Sequence, residues 1–284
     1  MTRSAFALLL SLIPLGQCAA QRTQGLPTLT ETFAADATLR AVSFVDARHG
    51  WAVGDRGVIL ATRDGGRRWD PQPTPVDCPL TGVWFVDSQR GWAVGGSVTP
   101  YTHTTHGVVL QTQDGGFSWR LVPATELPLL RGVRMFDNTT GLAWGEPSPV
   151  APSGLFRTNN GGRNWLPAGS TESHAWLAGA FAARERGVLV DSRSAPCAAS
   201  ERGVEDHQLA PRTAPPLYAA TLATNGVGWL AGAGGELLTT DDGARTWHAP
   251  PGAPHDGALA WCDWRAVAAR GKKVWLAGSP GALV

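Results

Sequence analysis

A unit of roughly 40 to 50 residues recurs along this chain, and nothing else in the sequence restricts the fold as strongly. Leu39 opens LRAVSFVDARHGWAVGDRGVILATRDGGRRW. Leu80 opens LTGVWFVDSQRGWAVGG, followed by a loop and GVVLQTQDGGFSW. Leu130 opens LRGVRMFDNTTGLAWGE, followed by a loop and GLFRTNNGGRNW. Another copy runs from Leu217 through GWLAGAGGELLTTDDGARTW, and a last one, WRAVAARGKKVWLAGSPGALV, starts at Trp264. The stretch from Trp176 to Pro216 is eroded: FAARERGVLV aligns Gly187 with Gly50, after which the pattern fades. Spacing still makes it a unit. Trp69, Trp119, Trp165 and Trp247 each end a unit; the first two intervals span one unit each and the last spans two. The connections from Trp69 to Leu80, Trp119 to Leu130 and Trp165 to Trp176 are equal in length.

Each unit reads as four short strands, A to D. Leu39 to Val45 is A, Trp51 to Gly54 is B, Val58 to Thr62 is C, and D begins near Arg67. An Asp-x-x-x-Gly turn joins A to B in three units, at Asp46, Asp87 and Asp137. Asp accepts backbone N–H bonds there and Gly tolerates positive φ. Repeated four-stranded units predict an all-β, six-bladed β-propeller, with seven blades as the alternative. The units are 39–79, 80–129, 130–175, 176–216, 217–263 and 264–284. The last has no strand D. Stepping the same connection back from Leu39 reaches Thr28, so 26–33 is expected to supply that strand and close the ring. Residues 21–284 are thus one domain.

Composition fits this picture. Thirty-five Gly and 21 Pro among 284 residues interrupt helices, while an apolar fraction of 43% supplies a core. A bundle, a coiled coil and a disordered chain are excluded. With 24 basic and 23 acidic side chains, no overall field favours nucleic acid or an anionic membrane. Arg3 followed by the apolar run Ala5 to Leu15 has the form of a signal peptide over 1–20, too short to span a bilayer about 30 Å thick. No later stretch is a long enough apolar run to be a transmembrane segment. Export to the periplasm or outside the cell is expected, or a lipoprotein anchored at Cys18. Cys78, Cys197 and Cys262 remain, so at most one disulfide can form. No cofactor and no metal centre is expected: no Cys/His group has zinc spacing, and His103-x-x-His106 is a weak pair in a Thr-rich loop.

Thr62-x-Asp64-x-Gly66-x-x-Trp69 and Thr112-x-Asp114-x-Gly116-x-x-Trp119 match S/T-x-D-x-G-x-x-W, the Asp box. Asn160 with Trp165, and Asp242 with Trp247, are near matches. The carboxylate caps the C–D hairpin, Gly permits the return and Trp packs between sheets. The box is a structural device. The units Phe44 to Trp69 and Phe85 to Gly96 resemble the photosystem II assembly and stability factor family of Asp-box propellers. That resemblance implies an exported, non-catalytic propeller that binds a protein partner, such as a membrane-protein complex or an assembly intermediate, and acts as a monomer.

Candidate site residues follow from the fold. Strand A lines the channel of a propeller, and its second position holds Arg40, Thr81, Arg131, Leu177, Tyr218 and Arg265. Arg clamps carboxylates in bidentate fashion. The longest B–C insertions, 97–106 and 147–153, would open on the same face and bring Tyr101, His103, His106 and Glu146. That face is the expected docking surface for acidic loops of a partner. Trp84, Trp92 and Trp144 read as inter-blade core. The alternative function is a glycan-binding or sialidase-like protein, with Tyr218 near Arg40, Arg131 and Arg265. The arginine-containing motif that opens sialidases is absent, and no G-x-S-x-G context supports nucleophilic catalysis.

Overall fold

The computed structural model describes residues 37–123, 127–169, 171–204, 215–251, 261–271, 273–279 and 282–283. The expected signal peptide, Cys18 and the closing strand 26–33 lie outside the described residues. The architecture is an all-β propeller. The described strands form six antiparallel sheets, four of four strands and two of three. Their A strands are Leu39–Phe44, Leu80–Phe85, Leu130–Met135, Trp176–Ala183, Leu217–Leu222 and Asp263–Arg270. Each A strand packs against the next in chain order.

Five apolar cores lie between successive sheets, and their residue types explain the repeat. Between the first two sheets, Trp51 stacks flat on Phe85 at 3.5 Å, and Trp119 meets the same ring edge-on. The Trp51 Nε1–H donates to the Gly115 carbonyl in the neighbouring Asp box at 3.0 Å. Trp92 repeats the bond one sheet on, to the Gly161 carbonyl at 3.0 Å. The strand-B tryptophan of one sheet is therefore clamped by the box of the next, which is why Trp and box share one period.

The Asp boxes are alike in detail. The Thr62 hydroxyl donates to Asp64 at 2.9 Å and accepts the Gly66 N–H at 2.9 Å, while Asp64 accepts the Arg68 N–H at 3.0 Å. Thr112 with Asp114, Thr158 with Asn160 and Thr240 with Asp242 repeat the first contact at 2.8, 3.0 and 2.8 Å. Ala244 stands at φ +77° where Gly66, Gly116 and Gly162 adopt 81° to 88°. The box geometry persists with a side chain in the left-handed region.

Residues 176–204 form the four-stranded sheet that the spacing predicts for the eroded unit, because Val188, Leu189 and Val190 still supply a buried second strand. The structure departs from the sequence reading in one place. The insertion 97–106 is not an open loop: Ser97 pairs with His106 and Val98 with Thr105, so the hairpin projects beyond its sheet. The β-branched residues Val98, Thr99, Thr104 and Thr105 favour that extended arm.

The first and sixth sheets differ from the rest. Leu39 is 50% exposed where the equivalent Leu80 is 0%, and Phe44 is 46% exposed where Phe85 is 2%. Trp275, the strand-B tryptophan of the sixth sheet, is 43% exposed. Among the described residues, no strand of the sixth sheet packs on the first as the other neighbours pack.

Candidate functional site

One backbone irregularity recurs in all six sheets. The A–B ladder slips between Leu39 and Ala41, Leu80 and Gly82, Trp176 and Ala178, Leu217 and Ala219, and Trp264 and Ala266. In the third sheet Leu130 pairs with Gly145 and Gly132 with Trp144. The second residue of each repeat's A segment is thus a β-bulge, a feature that re-aims a side chain. Glycine opposite the bulge makes it possible. A Cβ on Gly95 would sit 2.1 Å from the Pro79 carbonyl oxygen, and one on Gly145 2.2 Å from that of Leu129. Only the fourth sheet lacks the glycine and uses Asp191. This buried carboxylate accepts the Arg193 and Ala195 N–H groups and binds the Arg193 guanidinium at 2.9 Å.

The bulges place Arg40, Thr81, Arg131, Leu177, Tyr218 and Arg265 on the wall of a single central cavity of about 850 Å³. Three of them carry charge from three different sheets. Arg40 binds Asp55 at 2.6 Å and Arg131 binds Glu146 at 2.9 Å, each pair within its own repeat unit. Arg265 reaches Asp263 at 3.3 Å, and its guanidinium lies 4.0 Å above the Tyr218 ring. Tyr101 is not on this wall: it sits at the tip of the projecting hairpin, 98% exposed, with φ +74°. Glu146 acts through Arg131 and is likewise off the wall.

Sequence reasoning missed the deeper layer. Trp84 and Arg134, both fifth residues of their A strands, also line the cavity. The Arg134 guanidinium lies 3.8 Å above the Trp84 ring. Burial lowers its pKa to about 10, which leaves it charged at neutral pH. Strict alternation from the second position would turn the fifth to the opposite face. The bulge removes that parity, and no residue pattern marked it in advance. Trp92 and Trp144 are buried as expected of core, although Trp144 also reaches the cavity.

The Asp-box acids are elsewhere and are tied up locally. Hydrogen bonds, chiefly from the Arg68 N–H to Asp64 and from the Thr246 hydroxyl to Asp242, hold both carboxyls below their usual range. Among the described residues no cluster of His, Cys, Asp and Glu is arranged to hold a metal, and Cys78, Cys197 and Cys262 are buried and not disulfide-bonded. No described helix is long and apolar enough to cross a membrane.

Comparison with known proteins places this architecture. The family model described as photosynthesis system II assembly factor YCF48 matches residues 27–187. Photosystem II assembly protein Ycf48 of Thermosynechococcus vestitus is 44% identical over 41 residues, 14% of this chain and 12% of that protein. The chloroplastic photosystem II stability/assembly factor HCF136 of Cyanidioschyzon merolae is 43% identical over 54 residues, 19% of this chain and 11% of that protein. These matches span about a tenth of each curated relative. A solved structure of YCF48 bound to a D1 peptide is similar across 87% of this chain and 76% of that one, with TM-score 0.63 and 28% identity. The GH74 xyloglucanase of Xanthomonas campestris covers 86% of this chain and 44% of its own, with TM-score 0.60 and 14% identity, which shows a shared fold alone. A family match over more than half of the sequence, carried by the same repeated units that build the sheets, means that this chain belongs to the photosynthesis system II assembly factor YCF48 family.

Proposed function

We propose that this protein is an exported, non-catalytic propeller that binds a protein partner at the cavity mouth framed by Arg40, Arg131, Arg265 and Tyr218. The partner is a membrane-protein complex or one of its assembly intermediates, and the protein works as a monomer. The observation that carries this reading is the recurrent bulge, which turns side chains of six sheets towards one cavity. Exposed ion pairs such as Arg40–Asp55 contribute about 0–1 kcal/mol, so a partner's carboxylate competes with them at small cost. The D1 peptide bound to the YCF48 relative supports a peptide-like partner.

In the same reading the ring has six blades, and 26–33 completes the sixth sheet. The non-catalytic assignment is supported by the assembly-factor family to which the chain belongs. The test is titration of a fluorescent D1 peptide against the wild type and the double variant Arg40→Glu, Arg131→Glu. Affinity is expected to fall at least about tenfold, the scale of a lost charge-assisted contact. Equal affinity in a folded double variant would remove the cavity mouth as the docking site.

A further inference from the structure

The wall of the central cavity is electrically one-sided. Its charged residues, among those described, are Arg40, Arg131, Arg134 and Arg265, with no carboxylate. The three outer arginines each have an acidic partner lying off the wall. Arg134 has no acidic partner among the described residues; its guanidinium rests on the Trp84 face. The Nε atoms of Arg131 and Arg134 and the Trp84 Nε1 are buried without a hydrogen-bond partner in the protein. Three steps along strand A place Arg134 roughly 10 Å below the bulge ring, at about 3.3 Å per residue. A half-buried cation without a counter-charge costs stability, and a bound anion relieves that cost.

We infer that Arg134, stacked on Trp84 within the cavity, is a recognition site for a carboxylate carried into the channel by an extended peptide. The inference rests on the docking reading above and adds the chemistry that the partner must present. Stacking fixes the guanidinium plane and leaves its outer nitrogens to donate to a carboxylate in a forked geometry. Tyr218 on the same wall offers a hydroxyl to the peptide backbone, and the Thr81 hydroxyl, which donates to the Leu130 carbonyl at 2.6 Å, can accept a peptide N–H. The ion-paired outer ring admits the chain, and the unpaired inner arginine selects its charge.

Three fluorescein-labelled Gly/Ala/Ser heptapeptides test the site: one with a free C-terminal carboxylate, one amidated, and one amidated with a central Glu. The wild type is expected to bind at least one acidic peptide about tenfold more tightly than the neutral amide. Which of the two is preferred identifies a chain end or a side chain as the source of the carboxylate. The preference should disappear in Arg134→Gln and weaken in Arg134→Lys, which keeps charge but loses the fork. Circular dichroism melting controls for folding, and both variants are expected to melt within a few degrees of the wild type. Equal binding of all three peptides, no binding of the acidic ones, or a preference that survives in Arg134→Gln would overturn the inference. If D1-peptide binding still depends on Arg40 and Arg131 in that event, the docking reading stands and only the inner site falls.

Discussion

At the residue scale, small polar groups hold the repeat together. Thr112 is buried and both donates to Asp114 and accepts the Gly116 N–H. Thr112→Val keeps the shape but strips the Gly116 N–H of its acceptor and Asp114 of one of its donors, so a loss of about 1–3 kcal/mol is expected in chemical denaturation. The turn and box acids give a pH signature. The His49 N–H, the His49 side chain and the Arg48 N–H hold the Asp46 carboxyl down at about 2, and similar bonds depress Asp64, Asp137 and Asp242. Their folded pKa values lie below the unfolded value of about 3.9, so the stabilisation is complete above that value and is lost progressively as the pH falls through the folded values. The thermal midpoint should therefore drop steeply between pH 5 and 2, with roughly neutral behaviour from pH 5 to 7. Asp242→Asn, which copies the natural Asn160 box, should flatten the acid slope; an unchanged slope would show that Asp242 takes no part in it.

At the element scale, the glycine opposite the bulge decides where strand A points its side chains. Gly145→Ala would press a Cβ against the Leu129 carbonyl and the Leu130 Cα. The A strand must move, at an expected cost of about 1–3 kcal/mol for overpacking. Arg131 would move with it, so the same variant should weaken D1-peptide binding although it touches no ligand. Normal binding with lowered stability would separate the bulge from the site. The strand order, the Asp turns and the box hairpins were all legible in the sequence, because each depends on residues a few positions apart. The bulge was not legible: its signal is a glycine on the neighbouring strand, meaningful only once the two strands are paired. The projecting hairpin was hidden for a related reason, since cross-strand pairing rather than local composition extends Val98 and Thr105.

At the scale of the whole molecule, each sheet packs on the next in chain order, and among the described residues a seam is left between the sixth sheet and the first. Trp92 is fully buried and bonded to the next box, so Trp92→Ala should cost about 3–5 kcal/mol. Trp275 occupies the same strand position but lies beside the seam and is partly exposed. Trp275→Ala is expected to cost less than half as much by equilibrium denaturation. Equal costs would mean that the sixth sheet is packed as tightly as the others, with the seam closed in solution.

The sequence by itself determined the repeat, the box chemistry and the propeller class. Those follow from local bonds and from a period that can be counted. Only the tertiary structure decided that Arg40, Arg131 and Arg265 are ion-paired while Arg134 has no acidic partner among the described residues, and that Arg134 rests on Trp84. Asp263 sits two residues from Arg265 on the same strand, whereas the Arg40 and Arg131 counter-charges lie beyond their own A strands and the ring under Arg134 comes from another sheet. Their distances are set by packing around the channel, which no local pattern encodes.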